Sequence, residues 1–219
     1  MMLDRELAEL LWEATIDTGY MVFWATLITI IVGLPLGVAL ATMDRGGIFT
    51  LPPVHGVLDT IVNIGRSIPF IILMVAIIPF TRAVAGTSIG TTAAIVPLTV
   101  AAIPFFARVA ETSLREVDGG LVEMMQAAGG SALDIVRKVL VPESVPSLVR
   151  GITITIINLI GYSAMTGVIG GGGLGDLAYR YGYQRFEGDV MFWTIVVLVI
   201  IVQGVQLIGN AIARFIERR

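Results

Sequence analysis

The 219-residue chain contains no cysteine and one histidine, His55, and only 14% of its residues are charged. Without cysteine there is no disulfide, thiolate nucleophile or sulfur-ligated metal, and the redox compartment stays undefined. A lone histidine in a loop lacks partners for a metal site or a proton relay. The G-x4-G-K-[ST] phosphate loop is missing, so the chain does not hydrolyse ATP by that route. Paired carboxylates, a histidine cluster and a Ser/His/Asp set near an interface are missing too, which speaks against an integral-membrane enzyme. The net charge of −3 says nothing about nucleic acid. The lack of a basic patch with interleaved aromatics argues against that partner. Asp4, Glu6, Glu9, Glu13 and Asp17 against Arg5 alone reverse the basic start of a cleavable signal peptide, so none is expected.

What remains is apolar. Hydrophobic residues make up 56% of the chain and mean hydropathy is +0.89, outside ordinary soluble usage. Charges are missing from Thr18 to Met43, Ala83 to Ala107, Gly151 to Gly175 and Val190 to Ala213, and Thr60 to Thr81 holds only Arg66. About 20 helical residues at roughly 1.5 Å each span about 30 Å of hydrocarbon. The pattern predicts an all-α integral membrane protein with five transmembrane helices: 20–43, 60–81, 90–110, 149–170 and 190–212. Residues 19–213 then form one domain in the lipid bilayer. Residues 1–18 precede it with Leu3, Leu7, Leu10, Leu11 and Ala14 on one face, predicting an amphipathic helix on the membrane surface. Residues 214–219 follow as a basic tail.

Ten of the 14 basic residues fall on one side of this layout: Arg45, Arg66, Arg108, Arg115, Arg137, Lys138, Arg150, Arg214, Arg218 and Arg219. Arg5, Arg82, Arg180 and Arg185 fall on the other. The positive-inside bias predicts an outer N-terminus and a cytoplasmic C-terminus. The polar segment between spans 3 and 4, residues 114–148, then faces the cytoplasm.

That segment carries helix punctuation. Asp118 caps a helix through Leu121, Val122, Met124, Met125 and Ala128, and Gly129-Gly130 ends it. Ser131 with Asp134 has capping-box spacing and opens a second helix, with Leu133, Val136 and Leu140 on one face. Arg137 and Lys138 suit its C-terminal dipole, and Val141-Pro142 closes it. A solvated loop is the bland alternative, but loops rarely carry two sets of caps and stops. Met124 and Met125 on an apolar face suit a partner's groove.

Glu123, Gly129, Val139 and Pro142 match E-A-A-x3-G-x9-I-x-L-P, with Met124, Met125 and Val141 in place of Ala, Ala and Leu. The segment thereby resembles permease subunits of ABC importers. NIGRSIPFIILM (63–74), GTSIGTTAAIVPLTVAAIPFFAR (86–108), IVRKVLVPE (135–143), GYSAM (161–165) and GGGGLGDLAYRYGYQR (170–185) resemble the methionine-importer branch over roughly residues 15–213. The resemblance implies the type I importer permease fold, with 114–148 as a cytoplasmic coupling loop. It assigns Glu123, Met124, Met125, Ala128, Gly129 and Pro142 to ATPase coupling. It also implies a homodimer, two copies of a separate ATPase subunit and an extracytoplasmic substrate-binding lipoprotein. No cofactor is expected on this chain; ATP and Mg belong to the ATPase. The implied substrate is methionine, in both enantiomers; another small amino acid or an osmolyte is the alternative.

Pro35, Pro69, Pro79, Pro97 and Pro104 predict bent helices, either around a space or for packing alone. In span 4, Asn158, Tyr162, Met165 and Ile169 recur at helical steps. Two such stripes facing across a dimer axis, with Met165 at an apolar constriction, would make a gate; an ordinary seam glued by Asn158 is the alternative. Gly170, Gly171, Gly172 and Gly173 form a hinge or a tight turn. Tyr179, Tyr181, Tyr183, Arg180 and Arg185 offer a rim for the binding protein, or an aromatic belt. Arg66 snorkels or pairs. Gly33 and Gly37 flank Pro35 and favour close packing. A stand-alone channel or secondary transporter is the competing class, but such proteins place ionisable groups within their spans.

Overall fold

The computed structural model describes residues 5–44 and 47–217. Leu3, Asp4, Arg45, Arg218 and Arg219, which enter the sequence expectations, lie outside the described residues. Among the described residues there is no strand. The long helices are α1 (Arg5–Thr42), α5 (Thr91–Arg115), α8 (Val141–Thr166) and α10 (Gly188–Glu217). Between α1 and α5 lie α2 (Pro52–Ser67), α3 (Phe70–Ala76) and α4 (Ile78–Ala85). Short helices α6 (Gly119–Ala127) and α7 (Ala132–Ile135) precede α8, and α9 (Gly173–Leu177) follows it.

Among the described residues, α1, α5, α10 and the helical path Ala132–Ile169 are long and apolar enough to cross a membrane. The α2–α3 pair makes a fifth crossing if taken as one broken span. The expectation of a single helix over 60–81 is corrected: the segment is three pieces. Ile68, preceding a proline, is pushed out of the helical region, and Pro69 restarts the chain as the N-cap of α3. Ile77 interrupts it again, with Pro79 seated in the first turn of α4, where a missing N–H costs nothing. By contrast α1 runs unbroken through Pro35, and α5 through Pro97 and Pro104.

The N-terminal segment is likewise continuous with the first span. Its apolar face, expected on the membrane surface, instead packs on protein: Leu11 and Ala14 are buried against Leu174, Leu177 and Val190, with Leu7 and Leu10 beside them.

The chain forms two compact units. The first takes the described residues of Met1–Ile28, with Ile68–Ala102 and Ile156–Leu207. Its core centres on Met21, Met74, Leu98 and Leu159. Phe70 stacks on Tyr162 there, ring centroids 4.6 Å apart. The helix path through Gly167–Ile169 ends in a turn in which Gly170, Gly172 and Gly173 have φ of 79°, 80° and 75°. The Gly90 amide donates to the Gly170 carbonyl (2.9 Å), and the Leu174 amide to Thr18 Oγ1 (2.9 Å). α9 then returns buried along its whole length.

The second unit takes the described residues of Thr29–Ser67, Ile103–Thr155 and Ile208–Arg219. Here α1 approaches α5 closely. A Cβ on Gly33 would lie 2.9 Å from the Phe106 ring, and one on Gly37 2.6 Å from the Ala110 Cβ. The two glycines serve close packing within the chain, as expected. In lipid such backbone approach gains dispersion contacts, because burial from water is not available as a driving force.

The tightest approach of one backbone to another among the described residues is elsewhere. A Cβ on Gly167 would fall on the backbone of Gly175 and Asp176, whereas one on Gly161 would meet nothing within 4 Å. Gly167→Ala should therefore destabilise the purified protein by about 3 kcal/mol or more, the upper range for forced overpacking. Gly161→Ala should leave it within about 0.5 kcal/mol. Thermal unfolding in detergent reads the difference.

Candidate functional site

The polar module is two short helices joined at a glycine elbow. Asp118 accepts from the Gly120 amide (2.6 Å) and caps α6. The Gly130 amide closes α6 on the Met125 carbonyl (2.9 Å), with Gly129 at φ 81°. The expected capping box is present. The Asp134 amide donates to Ser131 Oγ (3.2 Å), and the Ser131 amide donates to Asp134 Oδ2 (3.1 Å).

One boundary differs from expectation. Val141-Pro142 does not end the second helix. A π-helical turn, Val136–Leu140, joins α7 to α8, so one helical path runs from Ala132 into the fourth span. The wide turn passes the Val141 amide to the Val136 carbonyl and gives the Pro142 ring room.

The module packs through Ile135, Val136 and Leu140 onto Leu114, with Val38, Ala41, Val122 and Met125 around them. Met125 thus faces inward, correcting the expectation that both methionines are offered to a partner. Leu133 is half exposed and leaves the face it was expected to share with Val136 and Leu140. Glu123, Met124, Ala128, Gly129 and Pro142 are exposed, and Met124 keeps 62% of its surface. Five of the six expected coupling residues are therefore accessible. Beside Pro142 an open pocket of about 510 Å³ is lined by Glu116, Glu143, Ser147, Arg150 and Glu217.

On α8 the expected stripe divides. Tyr162 and Ile169 pack on the core, whereas Met165 is 45% exposed and Asn158 half-buried. The free edge beyond Asn158 runs through Gly161, Met165 and Val168. Ile169 lies in the 3-10 turn Gly167–Ile169 after α8 has ended, so α-helical spacing from Met165 does not reach it. It lines a cavity of about 10 Å³ with Thr81 and Thr166, room for one water. Beyond α9, Tyr179 stacks on Tyr183 (5.6 Å), and the Arg185 guanidinium lies 4.3 Å from the Tyr181 ring centre. Arg66 is exposed.

A model of the family described as "binding-protein-dependent transport system inner membrane component" matches residues 33–219. The chain belongs to this family. Permeases of this kind are multi-pass inner-membrane proteins, in keeping with the apolar helices above. A "probable D-methionine transport system permease protein MetI" of Vibrio cholerae is 50% identical, over 97% of this chain and 94% of that one. The "methionine import system permease protein MetP" of Bacillus subtilis is 43% identical, over 95% and 94%. A chain of an inward-facing MetNI methionine ABC transporter superposes with a TM-score of 0.95 at 46% identity, over 97% and 99%. An amino acid ABC transporter crystallised with histidines reaches 0.80 at 16% identity and shares the fold alone.

Sequence reasoning passed over one group of this permease: Arg108, Glu111 and Arg115 at the end of α5, bonded to one another and to α1 and α2. Their signal was the alternation of sign at helical steps of three and four.

The capping box gives the module a measurable signature. Lys138 above all, then Ser131, hold the Asp134 carboxyl down to about 2. Asp134 belongs to the polar module, before the uncharged run that starts at Gly151. The cap should therefore be fully formed above pH about 4, where an unfolded aspartate is also charged, and be lost as pH falls through about 2. Hydrogen exchange over 132–140, corrected for intrinsic rates, should show flat protection from pH 8 to about 4. Ser131→Ala should lower that protection by about 1 kcal/mol.

Proposed function

We propose that this permease is the membrane-spanning translocation subunit of an ATP-driven importer of methionine, in its L and D forms. The near full-length likeness to a chain of the MetNI methionine ABC transporter, at 46% identity and a TM-score of 0.95, carries this reading. The exposed edge of the polar module supports it, because an importer subunit without its own phosphate loop needs a surface on which an ATPase can push.

Two copies of the chain form the pore, each module seated on one of two ATPase subunits through Glu123, Met124, Ala128, Gly129 and Pro142. The modules and the C-terminus lie in the cytoplasm and the N-terminus outside. ATP and Mg are held by the ATPase. ATP binding draws the ATPase pair together, brings the two modules closer and turns the pore outward. A lipid-anchored binding protein then docks on the rim of Tyr179, Tyr183 and Arg185 and releases its ligand; hydrolysis resets the pore. The facing stripes are Asn158, Gly161, Met165 and Val168, with Met165 at the constriction. Gly170–Gly173, bonded on both sides, serve as a fixed turn. Asn158 offers its amide to water inside the pore, where a polar group in hydrocarbon would otherwise be costly.

Vesicles reconstituted with this chain, its ATPase and its binding protein should accumulate labelled methionine only with ATP and the binding protein. Uptake of another amino acid with methionine ignored would replace the substrate and leave the transport role standing. Met124→Ala should weaken capture of the ATPase while stability stays within about 0.5 kcal/mol, the range of exposed substitutions. Met125→Ala should cost about 2 kcal/mol of module stability, as loss of packed methionine does. Equal loss of capture by both, in proportion to stability, would remove Met124 from the docking edge.

A further inference from the structure

Of the three charged residues on α5, only Glu111 is buried, at 5% exposure. Both of its oxygens are taken by arginines of its own helix. Arg108 Nη1 donates to Oε2 at 2.7 Å and Arg115 Nε to Oε1 at 3.1 Å. Each arginine then reaches a different helix. Arg108 Nη2 donates to Asp59 Oδ1 (2.5 Å) and Asn63 Oδ1 (2.9 Å) on α2. Arg115 Nη2 donates to Asp44 Oδ2 (3.2 Å) and to the Leu40 carbonyl (3.4 Å) at the end of α1. Glu111 is thus the centre of a clamp with two arms, three residues before the module's first buried side chain, Leu114.

Cohesion does not account for such a clamp. A buried ion network is a weak source of stability, and apolar side chains of similar size often serve as well. Apolar contacts already hold these helices: Gly33 and Gly37 meet Phe106 and Ala110, and Leu40, Val62 and Ala107 form one cluster. Packing resists separation, but it resists sliding along a helix axis less well. Charge-assisted bonds fix both distance and direction, and slipping one arm would part Arg108 from Asp59 or Arg115 from Asp44 while both arginines stay tied to Glu111. The network therefore adds resistance to shear, at the point where α5 meets the polar module.

Resting on the importer reading above, we infer that Glu111 is a positioning residue for transport. Through Arg108 and Arg115 it makes α1 and α2 follow any displacement that the module imposes on the end of α5. Without the clamp, α5 moves and its neighbours lag, and nucleotide is spent with less substrate carried.

The test uses the full complex of permease, ATPase and binding protein in vesicles, with ATP hydrolysis and methionine uptake measured together. Glu111→Gln keeps the side chain's size but removes the charge both arginines share. The complex should assemble and hydrolyse ATP normally, while ATP consumed per methionine rises about fivefold, the scale of coupling carried by contact networks. Asp59→Asn and Asp44→Asn each remove the charged partner of one arm, leaving Asn63 or the Leu40 carbonyl, and should raise the ratio by less. Their side chains are 34% and 41% exposed, so they test the idea even if Glu111→Gln does not assemble. An unchanged ratio, or uptake and hydrolysis falling in proportion, would overturn the inference. Absence of uptake by the unmodified complex would instead overturn the importer reading, before any variant is compared.

Discussion

A hydrocarbon interior offers no water to a peptide N–H or carbonyl, so each must be bonded within the protein. The rest of this structure follows from that constraint. The chain meets it with long helices. Where a proline removes a donor, the chain either continues, as at Pro35, or stops and restarts, as at Pro69 and Pro79. Elsewhere non-helical backbone is bonded by its neighbours. The glycine turn after α8 is such a place, held by the Gly90 amide and the Thr18 hydroxyl. The buried return of α9 is possible because Gly167 and Gly175 let two backbones touch. Conformational freedom of glycine and close approach are two aspects of one solution.

The polar module obeys a different solvent. Its caps and charges are those of a water-facing helix pair, while its apolar side chains close on the ends of α1 and α5. The π turn makes α7 and α8 one helical path. The clamp on Glu111 adds a second stiff route, from α5 to α1 and α2. An edge that is exposed on one side and packed on the other suits the force transmission proposed above.

Much of this was legible beforehand because periodicity and composition report local chemistry. Uncharged runs located the apolar helices, Asp118 and the Ser131–Asp134 pair located the caps, and Gly33 and Gly37 announced close packing. The errors share a cause. Met125 and Leu133 were placed by helical spacing alone, which gives a residue's face but not what that face meets. Tyr162 and Ile169 were assigned to an open stripe for the same reason, and Phe70 and the core around Met74 and Leu98 claimed them instead. The N-terminal leucines were given to lipid because the sequence does not say that Leu174 and Val190 come to cover them.

The sequence by itself determined where the long apolar runs and the polar module lie, and the caps at Asp118 and Ser131. Those depend on side-chain chemistry and on contacts within one helical turn. Tertiary structure alone decided which apolar faces are shared and which are left open, and that Glu111 is buried with an arginine on each oxygen. It also decided that a proline expected to end a helix lies inside one. Each of these turns on residues tens of positions apart meeting in space, and a single strand of letters carries no term for that encounter.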